Sequence, residues 1–194
     1  MLFRSGLPLP GVEVRIADPE TGALLATGEV GMIEVRGPNV FKGYWRMPEK
    51  TAAEFRPDGF FITGDLGRID ANGYVSIVGR GKDLVITGGY NVYPKEVEAE
   101  IDEIDGVVES AVIGVPHPDF GEAVTAVVVK AGGATVDEAK VIKLLEGRLA
   151  KFKCPKRVIF VDALPRNSMS KVLKNELRET HKALFDKPAA TRSS

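Results

Sequence analysis

The sequence predicts an α+β fold: a β-rich first part, then a smaller part in which strands and helices alternate. Three observations predict it. Up to about Arg80 the apolar residues recur with the period of two that half-buried strands show. From Asp83 onward, apolar runs alternate with segments of helical periodicity. Between the two lies "GRGKD", a charged, glycine-flanked stretch suited to a pivot.

Taken in order, "VEVRIAD" and "GMIEVRG" read as strands, and "PEKTAAEF" as a short helix. "FFITGDLGRI" and "YVSIVGR" flank "DANG", where Asn72-Gly73 predicts a hairpin turn because both positions tolerate positive φ. "DLVITGG" is a strand stopped by two glycines. Pro94 then opens a helix, "PKEVEAEIDEI", with acids near its positive N-terminus. "VVESAVIGVP" and "EAVTAVVVKAG" are strands. Asp137 to Phe152 is predicted as one amphipathic helix, with Val141, Leu145, Leu149 and Phe152 on one face. "KRVIFVDALP" is a strand, and Asn175 to Phe185 a last helix. The predicted division is 1–81, 82–186 and a disordered tail at 187–194. The opening "GLPLPGVEVRI" reads as the middle of a folded region, so the chain is expected to be the C-terminal part of a longer protein.

Composition narrows the function classes. A net charge of -1 gives no reason to expect nucleic acid or an acidic membrane as partner. The charge is arranged locally instead: Lys95 to Asp105 carries six acids and one base, Lys151 to Lys182 nine bases and three acids. Such a basic segment suits phosphates on a small ligand, and equally a solvated face. The single cysteine, Cys154, leaves no disulfide framework or cysteine-based metal site and fits a reducing, cytoplasmic compartment. No run reaches the roughly 20 apolar residues of a membrane span, and no signal peptide is expected.

Neither common phosphate-binding glycine loop occurs, and His117 and His181 are isolated, so no metal site is predicted. Three stretches remain. In "FFITGDL", Asp65 ends an apolar strand; it suits either a turn cap or a carboxylate accepting from two vicinal hydroxyls. In "GRGKDLVITGGYNVYPKEVE", Arg80 offers a fork of donors, and Gly88 and Gly89 either make a turn or let something thin pass the backbone. In "LPRNSMSK", Lys171 is either one more solvated lysine or a charge reaching out to meet an anion.

In this order and spacing, "GEVGMIEVRGPNVFKGYW", "FFITGDL", "GRGKD" with "GGYNVYPKEVE", and "LPRNSMSK" resemble successive motifs of the acyl-adenylate-forming, AMP-binding enzymes, from Gly6 to Phe185. The long runs are most similar to malonyl-CoA synthetases. The resemblance implies the β-rich end of a large N-terminal domain followed by a small lid domain. It implies an ATP-dependent acid–CoA ligase acting on a small-molecule carboxylate, ATP and CoA, with the phosphate loop and the Mg²⁺ site in a preceding part. This chain alone is then expected to be inactive.

Residue by residue, the resemblance makes Asp65 and Arg80 nucleotide-binding, Lys82 the hinge, Gly88 and Gly89 part of the CoA side, and Lys171 catalytic. One departure stands out. Ser170 replaces the glycine usual before that lysine, and serine does not take positive φ cheaply, so an altered loop is expected. Lys151, Lys153 and Lys156 are candidates to hold CoA phosphates. A medium- or long-chain acyl-CoA synthetase, or a non-catalytic CoA- or partner-binding lid module, is the alternative reading.

Overall fold

The structure, a computed structural model, describes residues 4–186; the tail expected at 187–194 lies outside them. The chain divides into two compact units, Met1–Lys82 and Asp83–Ser194.

The first unit is one antiparallel sheet of five strands. They are β1 (Arg4–Gly6), β2 (Glu13–Ala17), β3 (Gly31–Arg36), β4 (Phe61–Ile69) and β5 (Val75–Arg80), in the order β1-β5-β4-β3-β2. A short helix, α1 (Pro48–Glu54), opens on its proline and leads through Phe55 back to the sheet. The alternation in "GMIEVR" explains its burial: Ile33 joins Ile16 and Val75 in an apolar cluster, while Glu34 faces the other way. That carboxylate is fully buried and is held at 2.8 Å by both Arg15, its cross-strand partner, and Arg56.

The hairpin expected at "DANG" joins β4 and β5. Of the turn residues only Gly73 takes positive φ (81°). Asp70 accepts at its side chain from the N–H of Asn72 and Tyr74, and Gly73 N–H donates to its carbonyl. The aspartate's local bonds widen the turn, which removes the need for a left-handed Asn72.

The second unit is built on a hairpin of β8 (Val107–His117) and β9 (Gly121–Lys130). Two elements share the other edge of β9: β10 (Arg157–Val161) runs parallel to it, and β6 (Val85–Thr87) meets it at Gly121. A strand not anticipated, β7 (Tyr90–Val92), returns along β6 through Gly88-Gly89. The helices are α2 (Pro94–Asp102), α3 (Glu138–Glu146) and α4 (Lys174–His181).

Both faces of this sheet are covered, which is why "AVTAVVV" reads as a continuous apolar run. Val112, Val124, Ala126 and Val128 pack with Val97 and Ile101 of α2 and Val141 and Leu145 of α3. Ala111, Ile113, Val115 and Val127 face the opposite way, toward Leu164 and Leu177 of α4. Each such fully buried aliphatic side chain stabilises by about 1.5–3 kcal/mol before entropy is counted.

Two helices are shorter than the sequence suggested. α3 starts where Asp137 caps the Lys140 N–H at 2.8 Å, but ends at Glu146. Gly147 is a poor helix former, and Ala150 turns extended before a 3₁₀ turn at Lys151–Lys153. Leu149 and Phe152 still reach the core, so the apolar stripe is real although the helix behind it breaks. α4 starts at Lys174 and stops at His181, with Leu184 and Phe185 packing from the following turn.

Candidate functional site

The first unit brings Asp65 and Arg80 together. They are direct cross-strand partners of β4 and β5, with Arg80 Nε 2.9 Å from Asp65 Oδ1. The strand around the aspartate is not regular. From Met32 to Glu34 on β3 the ladder spans Leu66 back to Ile62 on β4, so β4 carries two extra residues there. This bulge lifts Asp65 off the ladder, and Gly64 (φ 75°) supplies the left-handed step. Thr63 ties it down: its hydroxyl donates to the Ile33 carbonyl and accepts from the Asp65 N–H. Asp65 opens on a cleft of about 290 Å³ with mostly apolar walls, among them Leu9, Val14, Val35 and Ile77, with Asn39 at the side. A carboxylate at the rim of an apolar cleft, beside a guanidinium, can receive paired hydroxyls while a flat ring rests on the wall. Thr63 and Gly64 were missed by the sequence reading; "ITGD", with a glycine inside a strand pattern, is the bulge signal that could have found them.

Lys82 lies in a 3₁₀ turn, Gly81–Asp83, at the division between the units. Gly88 (φ 57°) and Gly89 (φ 83°) form the tight turn between β6 and β7. A side chain at Gly89 would meet no atom within 4 Å, so its backbone angle, not crowding, requires glycine. Gly88 N–H donates to the Phe120 carbonyl, which fixes the turn beside the β8–β9 connection. There a second hollow, about 420 Å³, is lined by Pro116, His117, Pro118, Gly121, Phe185 and Asp186. Of the three lysines considered for phosphates, Lys153 is held by Glu96 at 2.6 Å and Lys156 sits 5.3 Å over the Phe120 ring; Lys151 is exposed.

Lys171 stands at the tip of a loop between β10 and α4. Its backbone is shaped by the Asn167 and Arg166 side chains. Asn167 N–H donates to the Lys171 carbonyl, and the Asn167 side chain accepts from the N–H of Met169 and Lys171. Arg166 donates to the Ser170 carbonyl at 2.6 Å and pairs with Glu109 of β8. Ser170 sits at φ 60°, in the left-handed region a glycine would take freely. The glycine-type turn is therefore kept without the glycine. The Lys171 side chain is exposed, and no ion-pair partner for it occurs among the described residues.

The two features of the second unit lie far apart. The lysine loop is tied to Glu109, and the glycine turn to Phe120, past the other end of β8. The eight steps from Glu109 to His117 amount to about 27 Å of strand.

Behind the lysine loop sits the most deeply buried carboxylate of this unit. Glu98 of α2 accepts from the Val112 N–H at 2.9 Å, and Lys174 Nζ lies 2.6 Å from the same oxygen. Its other oxygen has Lys95 at 2.9 Å as a charge neighbour but no hydrogen bond in good geometry. Burial pushes this carboxyl up; the Lys174 charge, helped by the Val112 N–H and Lys95, outweighs that and holds it below the usual carboxylate range. Among the described residues no group of three His, Cys, Asp or Glu can hold a metal ion, and no helix is long and apolar enough to cross a membrane.

The chain is similar to known proteins over most of its length. Residues 96–171 match the family "AMP-binding enzyme C-terminal domain", and residues 3–45 match "AMP-binding enzyme". A 3-[(3aS,4S,7aS)-7a-methyl-1,5-dioxo-octahydro-1H-inden-4-yl]propanoyl:CoA ligase of Rhodococcus jostii is 49% identical over 178 residues, 92% of this chain and 32% of the relative. A feruloyl-CoA synthase of an Amycolatopsis species is 47% identical over 174 residues, 90% of this chain and 35% of the relative. ATP-bound MatB from Rhodopseudomonas palustris superposes with a TM-score of 0.90 at 71% identity, over 94% of this chain and 36% of that one. The chain thus spans about a third of the length of the proteins it matches.

Proposed function

Because the chain belongs to the AMP-binding, acyl-adenylate-forming enzymes, we propose that it is the C-terminal part of an ATP-dependent acid–CoA ligase, with malonate as the favoured carboxylate. The choice of acid is supported by the 71% identity to MatB, a malonyl-CoA synthetase. The observation that carries the reading is Lys171: an exposed ammonium with no ion-pair partner among the described residues, on a loop whose Arg166 and Asn167 side chains are both engaged.

Two half-reactions follow. A carboxylate oxygen bonds to the α-phosphorus of ATP while the bond to the bridging oxygen breaks and pyrophosphate leaves. Negative charge gathers on the phosphoryl oxygens, and Lys171 meets it as a compact, flexible cation. Asp65 accepts the ribose hydroxyls, with Arg80 orienting the carboxylate from across the strand pair. The CoA thiol then gives up its proton and attacks the acyl carbon, and AMP leaves. For this step the second unit turns about Lys82 and presents Gly88 and Gly89, where a bare backbone admits the thin pantetheine arm. The roughly 27 Å of strand between the anchors of the two loops supports the turn, since one bound substrate cannot meet both at once. Mg²⁺ belongs to the proposal only as the family's usual companion of ATP; no residue described here is assigned to it.

The test is full-length enzyme with ATP, CoA and malonate, following pyrophosphate, AMP and thioester together. Stoichiometric malonyl-CoA and AMP are expected. Turnover with a fatty acid in place of malonate would assign a medium- or long-chain synthetase instead. CoA binding with no nucleotide turnover would make the chain a binding module.

A further inference from the structure

The open edge of the second unit's sheet is β8, and one side chain caps it at Val112. Among the described residues β8 pairs only with β9, so alternate N–H groups face outward, and Val112 is one of them. Glu98 caps that N–H from α2, which packs on one face of the sheet. Lys174 comes to the same carboxylate from α4, which packs on the opposite face. The two faces are thus joined around the strand edge by a single ion pair. It is well enclosed, with 3% of the Glu98 and 13% of the Lys174 side chain exposed.

We infer that the Glu98–Lys174 pair is a positioning device for Lys171, resting on the ligase reading above for what Lys171 does. Lys174 is the first residue of α4 and follows Lys171 by three positions. The loop has two ends. Its entry is held by Arg166 on Glu109 of β8; its exit is held by Lys174 on Glu98. Between them the backbone closes on itself, with Arg166 and Val172 bridged and the Leu173 N–H on the Pro165 carbonyl at 2.8 Å. The loop is therefore rigid within itself and takes its direction from its two anchors. α4 has no side-chain cap at Leu173; its start is held by the Leu173 N–H on Pro165, by Val172 packed against the cluster around Leu177, and by the Lys174 ion pair. Leu177 in the core and Arg178 on Asp83 hold the helix one turn further on, which leaves Lys174 as the enclosed charge anchor nearest the lysine tip. Releasing Lys174 lets the lysine tip wander while the sheet stays packed. Geometry at a reacting centre is steep in its effect, and displacement by about 1 Å can cost a hundredfold.

Lys174→Met in the full-length enzyme keeps the aliphatic stem and removes the charge. Pyrophosphate release should fall at least tenfold, while thioester formation from supplied acyl-adenylate stays within twofold. Lys174→Arg should recover adenylation to within threefold of wild type. Lys95→Met, which strips Glu98 of its exposed neighbour without touching α4, should leave both half-reactions within twofold. Independently of turnover, amide exchange across residues 167–173 should quicken at least tenfold in Lys174→Met, with β8 and β9 unchanged. Equal losses in both half-reactions, no loss in either, or unchanged exchange in the loop would overturn the inference. So would an increase spreading into β8 and β9, which would make the pair a general prop. A wild-type enzyme that releases no pyrophosphate refutes the ligase reading alone; the clamp then stands or falls on the exchange measurement.

Discussion

On the proposed ligase reading, Lys171→Ala should separate catalysis from stability because of how its loop is built. The truncated side chain is exposed and has no partner among the described residues. The bonds that shape the tip belong to the Asn167 side chain, the Arg166 guanidinium and the Lys171 backbone, all of which alanine leaves in place. The stability change should therefore lie within about 0.5 kcal/mol, as for ordinary surface substitutions. The catalytic loss should be of another size. A charge 4 Å from developing phosphoryl charge interacts by about 1 kcal/mol in bulk water and about 4 kcal/mol where the effective dielectric constant is near 20. In a closed site the loss should thus approach roughly 3 kcal/mol, more than a hundredfold in rate. The assay is pyrophosphate release in the full-length enzyme, alongside thioester formation from supplied acyl-adenylate and a urea unfolding curve. Adenylation should fall a hundredfold or more, with the other two readings nearly unchanged. Equal slowing of both half-reactions, or adenylation reduced less than threefold, would refute the role given to this lysine.

Ser170→Gly should relieve a left-handed residue worth about 1–2 kcal/mol, but glycine's extra freedom in the unfolded chain returns about 0.5–1 kcal/mol. Its net gain is then between about 0 and 1.5 kcal/mol, read as slower amide exchange across 167–172. Ser170→Val, β-branched at φ 60°, should quicken exchange there, and equal exchange in the two variants would contradict the left-handed turn. Acid should weaken the second unit through Glu98. Its folded carboxyl lies below the ordinary value, so its contribution is complete above the unfolded pKa of about 4.3 and is lost as pH falls through the lower folded value. Asp102, also on α2, is pushed up chiefly by burial and takes its proton first in the folded state, which offsets the early part of the loss. Unfolding free energy should therefore hold down to about pH 4.5 and drop below about pH 4. Glu98→Gln should flatten that drop and cost about 3 kcal/mol at neutral pH, where Lys174 is left enclosed without its partner. An unchanged acid slope in Glu98→Gln would refute this account.

What the sequence made legible and what it hid differ in range. Period-two alternation in "GMIEVR" and helical spacing in "VIKLL" report which face of an element is buried, because burial acts residue by residue along one element. Turn glycines are likewise local, and Gly88-Gly89 could be marked before any fold was known, although the second strand they lead into was not. The Asp65–Arg80 partnership lay halfway: a hairpin sets the register, but only the bulge at Thr63–Gly64 decides where the aspartate points. The anchors of the lysine loop lay beyond reach. Arg166 meets Glu109 across 57 positions, and Arg178 of α4 meets Asp83 across 95. Nothing in the spacing of charges tells an anchoring lysine from a solvated one. Lys171 and Lys174 look alike in "SKVLKN", yet one is exposed and the other is 13% exposed against a buried carboxylate. The difference is made by the open edge of β8. An edge N–H needs an acceptor, the acceptor is a carboxylate, and a buried carboxylate needs a cation from whichever element passes it. That element is the one carrying the lysine loop. A demand of the sheet's backbone thereby becomes a constraint on where the exposed charge of Lys171 stands.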